Sequence, residues 1–186
     1  MSTITTAVYW STFVHSALHE RPLHVAATER GLCCISLPED THLNLQPWVD
    51  RKFRNAILVE DREKLKPYLE QLQAYCERNL TSFELPLDLQ GTSFQVSVWR
   101  ALMTIPYGHS CSYADIAAII DRPQAIRAVG TANGANPIPI IIPCHRVIGK
   151  NGSLTGYSGG LKMKETLLQL EGYIDYSAKG HVRFNF

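Results

Sequence analysis

An apolar segment that is interrupted by prolines and ends at a cysteine constrains this chain more than any other feature. Residues 136–147 read Asn-Pro-Ile-Pro-Ile-Ile-Ile-Pro-Cys-His-Arg-Val. Because proline lacks a backbone donor and fixes φ, Pro143 predicts that Cys144 lies where regular strand pairing ends. A neighbouring base or cation converts a thiol into the thiolate, the form that attacks electrophiles. Taken alone, Cys144 reads as an ordinary core cysteine, so any function depends on the surrounding sequence.

The composition predicts a globular protein of the cytoplasm. Apolar residues make up 45% and charged residues 19% of the 186 residues, which is enough for one domain or two small ones. No apolar run is long enough to cross a bilayer and the N-terminus lacks a secretory pattern, so we expect no membrane association. The five cysteines include the adjacent pair Cys33-Cys34, which argues against a disulfide framework and for a reducing compartment.

Charge is distributed unevenly along the chain. Residues 1–89 carry 9 Lys+Arg and 12 Asp+Glu, a net charge of −3, whereas residues 90–186 carry 9 and 5, a net charge of +4. The cationic half also contains the Cys-His pair. An excess of positive charge on that half is a mild indication of an anionic partner.

The first half predicts a small α+β domain over residues 1–89. Its β-prone segments are short and separated by turn residues, at positions 7–10, 23–27 and 31–37. Residues 29–31 are predicted to join the last two segments into a hairpin. Leucines at helical spacing predict a helix over residues 62–80, and residues 86–91 read as a linker.

The second half predicts a mainly helical domain over residues 90–186. Thr92 followed by Gln95 matches a capping box and opens a helix with apolar residues at helical spacing. Two short helices follow, over residues 112–120 and about 124–133, with a three-residue break between them. Such a pair predicts a helix-turn-helix, although a helical corner in any core has the same pattern.

One face of the second of these helices has an unusual composition. Gln124, Arg127, Thr131 and Gly134 lie on it, so a single long cation stands among small or neutral residues. The opposite face is apolar and comprises Ala125, Ile126, Val129 and Ala132. Small side chains let a helix approach a phosphate backbone closely, and one arginine can then reach into a groove. The pattern favours this reading over a solvated face, which would carry several Lys and Glu.

A last helix is predicted over residues 161–170, with Gly172 just beyond its C-terminus. Glu171 continues the apolar face of this helix inward, where a carboxylate is costly unless it is paired. His145 is the imidazole available to it. The alternative is a surface glutamate at a frayed helix end.

A known family carries the string Pro-Cys-His-Arg-Val as its signature, which here spans residues 143–147. The chain resembles this family, the methylated-DNA–protein-cysteine methyltransferases or 6-O-alkylguanine-DNA alkyltransferases. Further matching segments follow in family order and spacing, at positions 91–99, 112–113, 127–130, 136–137, 157–161 and 171–172. The resemblance implies an α+β fold, with a small N-terminal strand–helix domain before a mainly helical domain that holds the helix-turn-helix and the cysteine.

The resemblance also implies a reaction. Members of the family move an alkyl group irreversibly from the 6-oxygen of guanine in DNA onto a cysteine, which matches Cys144. His145 would act as the base through a water molecule, with Glu171 orienting it. Tyr113 would place a hydroxyl at the guanine, and Asn136 would hold the turn before the cysteine. No cofactor is implied. A zinc-ligand cysteine found near the N-terminus of some relatives has no counterpart here, so we expect no metal.

The implied partner is double-stranded DNA that carries an alkylated guanine, bound in its minor groove by a monomer. Arg127 would fill the space left in the base stack by the flipped guanine, with Gln124, Thr131 and Tyr113 also facing the DNA. The residues implied to line the substrate pocket are Val147, Tyr157, Ser158 and Pro139. Alkylation at the 4-oxygen of thymine, the tolerance for larger alkyl groups and cooperative binding are left open by the sequence.

Two other functions compete with repair. Alkyltransferase-like lesion sensors resemble the family but lack the cysteine, whereas Cys144 is present here. A thiol hydrolase would use Cys144, His145 and Glu171 as a triad. Adjacent residues of an extended chain point to opposite sides, which suits a water relay between the thiol and the imidazole better than direct contact. We therefore rank the repair enzyme first, the sensor second and the hydrolase third.

Overall fold

The computed structural model describes residues 5–37 and 44–176, and the chain divides into two compact units, residues 1–90 and 91–186. The first unit is a sheet with helices and the second is mainly helical, so the predicted α+β class is confirmed. The end of the chain, residues 177–186, lies outside the described part. Among the described helices, none combines the length and the apolar character needed to cross a bilayer.

The first unit is built on a four-stranded sheet with the order β3-β2-β1-β4. Its strands are β1 (Thr6–Phe13), β2 (Leu23–Thr28), β3 (Gly31–Ser36) and β4 (Ala56–Glu60). The hairpin between β2 and β3 is antiparallel, as predicted, while β4 pairs in parallel with β1. β4 was not predicted, although its run Ala-Ile-Leu-Val is β-prone. Helix α1 (Leu45–Lys52) was missed as well, because it is only eight residues long and contains Pro47.

The long helix of this unit, α2, runs from Arg62 to Cys76 and ends four residues before the predicted limit. Asp61 caps its first turn by accepting a hydrogen bond from the backbone N–H of Lys64. The helix ends where Arg78 adopts a positive φ of 61°, a conformation that no helix can continue through. The predicted apolar stripe is buried and comprises Leu65, Leu69, Leu72 and Cys76.

The segment predicted as a linker is partly an extension of this sheet. Leu87 forms a parallel bridge to Leu32. The Leu32 N–H donates to the Pro86 carbonyl at 2.9 Å, and the Leu32 carbonyl accepts from the Asp88 N–H at 2.8 Å. The carboxylate of Asp88 is buried and accepts hydrogen bonds from Thr28 and Arg30. The linker prediction is therefore wrong for residues 86–88, because pairing with a distant strand outweighs the local turn composition.

The second unit opens with α3 (Ser93–Leu102), and both hydrogen bonds of the predicted capping box between Thr92 and Gln95 are present. Trp99 on this helix is 1% exposed, and its indole N–H donates to the Ala132 carbonyl at 2.9 Å. Because a buried indole N–H needs a partner, this bond fixes α3 against the later helix that contains Ala132.

The helix-turn-helix consists of α4 (Tyr113–Ile119) and α5 (Ile126–Gly134). The turn between them is longer than predicted and includes Gln124, because the Ala125 N–H bonds the Arg122 carbonyl before the helix begins. The second helix therefore starts two residues later than expected. Its inner face holds Val129 and Ala132, but Ile126, expected on that face, is 44% exposed.

The proline-rich segment folds as consecutive turns rather than as a strand. Ile140 has a φ of +77°, and the Ile142 N–H bonds the Ile138 carbonyl across this turn. Cys144–Arg146 then form one 3₁₀ turn. The expected extended backbone at the cysteine is therefore wrong, because the prolines remove the N–H groups that a strand would need.

Two short elements complete the second unit around this turn. Strand β6 (Val147–Ile148) follows the cysteine turn directly and pairs in parallel with β5 (Cys111–Ser112). Helix α6 (Leu161–Leu170) has the predicted bounds, and Gly172 adopts the positive φ of 77° expected after a helix C-terminus. These elements bring α4 and α6 to the same turn.

Candidate active site at Cys144

Cys144 is the first residue of the 3₁₀ turn and is 2% exposed. The side-chain N–H₂ of Asn136 lies 3.0 Å from its Sγ and donates to the Ile142 carbonyl at 2.8 Å. The Asn136 oxygen accepts from the Ile138 N–H at 3.0 Å. Asn136 was predicted to hold the turn; its contact with the sulfur was not foreseen, because the side chain reaches the thiol only through the turns of the proline segment.

His145 is completely buried and meets a carboxylate. Its Nε2 lies 2.8 Å from Oε1 of Glu171. Because a carboxylate only accepts hydrogen bonds, Nε2 carries the proton and Nδ1 holds the lone pair. Burial lowers the pKa of His145 despite the opposing effect of Glu171, so the imidazole is neutral at neutral pH. Nδ1 has no hydrogen-bond partner among the described residues, which leaves it able to accept a proton.

Glu171 is also bound by a cation, Arg146, that sequence reasoning did not assign to it. Nε and an Nη atom of Arg146 both lie 2.9 Å from its two oxygens, and the Gly108 N–H adds a third type of donor at 3.1 Å. Burial alone would raise the pKa of Glu171, but the hydrogen bonds from His145 and Arg146 hold it at about 2. The signal for this pair was the position of Arg146, directly after His145 and at the end of the turn that begins with Cys144.

Tyr113 begins α4, whose own capping box joins Ser112 and Asp115. Its hydroxyl lies 3.4 Å from both the carbonyl and the Oγ1 of Thr155. Burial raises the pKa of Tyr113, and a negative charge on Cys144 acts in the same direction, so the phenol keeps its proton at neutral pH. The structure thus places a protonated hydroxyl close enough to Cys144 for the two groups to interact electrostatically.

The residues predicted to face DNA lie on the surface of the helix-turn-helix. Arg127 and Thr131 are exposed on α5, one helical turn apart, and the Thr131 hydroxyl donates to the Arg127 carbonyl at 3.2 Å. Gln124 is exposed in the turn before the helix. Gly130 on the same helix faces the Tyr113 ring, since a Cβ there would lie 3.9 Å from it. The exposed face of α5 is therefore adjacent to the tyrosine of the site.

The predicted pocket residues lie on three segments near the cysteine turn. Val147 is buried in β6, directly after the turn, and Pro139 is buried and bridges to Ile142. Tyr157 and Ser158 are half-buried in the loop before α6. Their role in holding a substrate stays a prediction.

A second thiol of this unit, that of Cys111, is more accessible than that of Cys144. Cys111 is half-buried and lines an open depression of about 360 Å³. Burial, together with the charge of Asp115, raises the pKa of Cys111 to about 11, so this thiol stays protonated at neutral pH. Among the described residues, no group of three or more His, Cys, Asp or Glu is arranged to hold a metal ion.

The fold and the site define a class of protein: a helix-turn-helix unit with a buried cysteine set for group transfer. Comparison with family models agrees. The model described as "6-O-methylguanine DNA methyltransferase, DNA binding domain" matches residues 93–173, and "6-O-methylguanine DNA methyltransferase, ribonuclease-like domain" matches residues 9–89.

Individual relatives cover almost the whole chain. A methylated-DNA–protein-cysteine methyltransferase of Bacillus subtilis (strain 168), described as inducible, is 45% identical over 92% of this chain and 94% of its own length. A protein of the same name from Methanosarcina barkeri is 47% identical over 81% of this chain and 90% of its own. Among solved structures, Mycobacterium tuberculosis OGT in complex with DNA has a TM-score of 0.75 at 42% identity, covering 89% of this chain and 92% of that one.

This chain belongs to the 6-O-methylguanine DNA methyltransferase family. The family predicted from the Pro-Cys-His-Arg-Val string is thereby confirmed. The match to the N-terminal family model extends the likeness to residues 9–89, which contain none of the segments matched from the sequence.

Proposed function

We propose that this protein repairs double-stranded DNA by moving a methyl or other alkyl group from the 6-oxygen of guanine onto Cys144, once per molecule. The 4-oxygen of thymine remains a second position to test. The observation that carries the proposal is a pair of hydrogen-bonded groups on one turn: Asn136 bonds the sulfur of Cys144, and the next two residues, His145 and Arg146, both bind Glu171. The buried thiol is thus followed directly in the chain by a neutral imidazole whose lone pair is available and whose orientation is held by a carboxylate.

The reaction begins with the proton of Cys144, which passes through one water molecule to Nδ1 of His145. The thiolate then attacks the alkyl carbon, so that an S–C bond forms while the bond between that carbon and the guanine oxygen breaks. The bonding electrons stay on the guanine. The Asn136 N–H₂, 3.0 Å from the sulfur, stabilises negative charge on it before attack. The product thioether is not hydrolysed, which makes the transfer irreversible.

The guanine leaves with a negative charge and must gain a proton. Tyr113 carries a hydroxyl whose pKa is raised and which therefore remains protonated and able to donate. It hydrogen-bonds the departing base or gives it its proton. In the second case the phenolate of Tyr113 regains a proton from solvent while His145 returns to solvent the proton it took from Cys144, so no net proton is released. The 3.4 Å contacts with Thr155 are long, so the hydroxyl can exchange them for a stronger bond to a bound base.

Access to a guanine inside a duplex requires the base to leave the stack. We place the minor groove of the DNA against the exposed face of α5, with Arg127 entering the space vacated by the base. Gln124 and Thr131 flank it, and Tyr113 stands behind Gly130 on the same side. Val147, Tyr157, Ser158 and Pro139 enclose the flipped base in this proposal.

The remaining expectations are part of the same proposal. Residues 1–89 and 90–186 act as an N-terminal domain and a DNA-binding, alkyl-accepting domain. The protein acts as a monomer in the cytoplasm, without cofactor or metal. Analytical ultracentrifugation with and without duplex DNA tests the monomer, and metal analysis of the purified protein tests the last point.

The experiment that tests the proposal uses a duplex that contains guanine with a labelled methyl group on its 6-oxygen. We expect one label per protein molecule, mapped by mass spectrometry to the peptide with Cys144. Cys144→Ser should accept none while binding the duplex normally, and the matched control Cys111→Ser should accept one. Label on Cys111, or several methyl groups removed per molecule, would sink the proposal. Binding without transfer by the unmodified protein would instead indicate a lesion sensor, and turnover of an ester would indicate a hydrolase.

A further inference from the structure

Lys164 on α6 is a buried cation for which the reaction described so far has no role. Its side chain is 0% exposed, although lysine is among the residues least often buried completely. Its Nζ donates to two backbone carbonyls, of Val147 and of Thr155, each at 2.6 Å. Such short charge-assisted bonds indicate that the ammonium is held in one position.

The two carbonyls belong to the two sides of the candidate active site. Val147 directly follows the turn that carries Cys144, and its carbonyl is the first one beyond that turn. The carbonyl of Thr155 also accepts a hydrogen bond from the Tyr113 hydroxyl. The Lys164 ammonium therefore binds both the backbone next to Cys144 and the Thr155 carbonyl that accepts from the Tyr113 hydroxyl.

Within the described residues, no carboxylate lies within salt-bridge distance of the Lys164 Nζ. The buried carboxylate of this unit, Glu171, is bound by His145 and Arg146 instead. The other titratable groups that interact with it are the Cys144 thiol and the His145 imidazole. Burial lowers the pKa of Lys164 to about 8, which still leaves it mostly protonated at neutral pH, and a thiolate on Cys144 would favour its charged form.

A methionine would fill the same space without the cost of burying a charge. A buried cation at this position is stabilised most when a negative charge forms beside it. Attack by Cys144 requires such a charge, because the thiolate is the attacking form. On the basis of the proposed alkyl transfer, we propose that Lys164 is a positioning residue for that reaction. It holds the Thr155 carbonyl that orients the Tyr113 hydroxyl until a base is bound, and it provides the buried positive charge that favours the thiolate of Cys144.

Two variants separate the charge from the hydrogen bonds. Lys164→Met removes both, whereas Lys164→Gln removes the charge and keeps an N–H₂ donor on a side chain that is one bond shorter. The matched control is Lys162→Met, an exposed lysine on the same helix. Circular dichroism and thermal unfolding establish that each variant is folded, and Lys164→Gln carries the test if Lys164→Met is not.

The first measurement is the rate of iodoacetamide reaction with Cys144 against pH, followed by mass spectrometry of its peptide. In both Lys164 variants we expect the profile to move to higher pH by about one unit or more, as for the loss of a nearby opposite charge. Lys162→Met should keep the unmodified protein's profile. An unchanged profile in the folded Lys164 variants would overturn the proposed role of the charge.

The second measurement is the single-turnover rate of methyl transfer at saturating duplex, together with the dissociation constant of the duplex. Both Lys164 variants should lose at least tenfold in rate with little change in binding, and Lys164→Met should lose more because Tyr113 is no longer oriented. Equal losses in binding and rate would show a merely structural role. The iodoacetamide profile depends only on the thiol, so it tests Lys164 even if the unmodified protein transfers no alkyl group from DNA, a result that would instead refute the proposed function.

Discussion

The guanidinium of Arg146 holds both oxygens of the Glu171 carboxylate, with two nitrogen–oxygen distances of 2.9 Å. The pair is buried, and the third donor of Arg146 is bound at 2.6 Å by the Ile105 carbonyl. A planar guanidinium bound in this way fixes the carboxylate in orientation as well as in charge. Glu171 can therefore hold the His145 ring rigidly, while part of its negative charge is already offset before any proton reaches that ring.

Glu171→Gln should slow alkyl transfer because it weakens the control of His145. The amide retains an oxygen that can accept from Nε2, but it no longer stabilises an imidazolium, and Arg146 loses its counter-ion. We expect a loss of roughly ten- to a hundredfold in the single-turnover rate, in the range typical of removing one part of acid–base catalysis. The iodoacetamide profile of Cys144 should move to higher pH. Glu165→Gln, on helix α6 that precedes Glu171, serves as the control and should leave the rate and the profile unchanged.

His145→Ala should cause a larger loss than Glu171→Gln, because it removes the proton acceptor itself. The rate should fall by about two to four orders of magnitude, and the remaining activity should rise with pH as hydroxide replaces the base. Duplex binding should be preserved, since His145 is completely buried. The measurement is the single-turnover rate between pH 6 and about pH 9, within the range where thiols ionise. Unchanged profiles in both His145→Ala and Glu171→Gln would mean that another group activates Cys144.

Arg127→Ala should affect repair of duplex DNA more than reaction with free benzylated guanine. The proposed task of Arg127 is to stabilise the state in which the base is outside the stack, and unstacking a base costs a few kcal/mol. The duplex rate should therefore fall by one or more orders of magnitude while the free-base rate is retained. Arg100→Ala, an exposed arginine on α3, is the control. Equal losses with both substrates would assign Arg127 a structural role instead.

The site should make the protein sensitive to acid. The pKa of Glu171 is about 2 in the folded protein against 4.5 as the ordinary value, and the pKa of His145 is also lowered. Both shifts mean that the unfolded chain binds more protons than the folded protein. Their contribution to the free energy of unfolding is therefore complete at pH values above the ordinary pKa values and is lost as the pH falls below them. For Glu171 the loss between pH 4.5 and about 2 is on the order of 3 kcal/mol. Urea unfolding at several pH values measures it, and Glu171→Gln should lack that part of the decline.

Local sequence determined the elements whose signals lie within a few residues of one another. The capping box at Thr92, the bounds of α6 with Gly172 beyond it, and the β2–β3 hairpin were all predictable, because each depends on neighbouring side chains and backbone groups. The Pro-Cys-His-Arg-Val string identified the family for the same reason. The thiol, the imidazole and the backbone turn that holds them are there consecutive in the chain.

Tertiary structure alone decided the features that join distant segments. Leu87 pairs with Leu32 where composition indicated a linker, and the segment before Cys144 forms turns where its β-branched residues indicated a strand. The partners of Glu171 and Lys164 lie 25 and 17 residues away at Arg146 and Val147. The spacing of apolar residues along the sequence does not indicate which distant residues form such pairs. They form because a buried charge or carbonyl must find a hydrogen-bond partner, and only the packed fold decides which one is within reach.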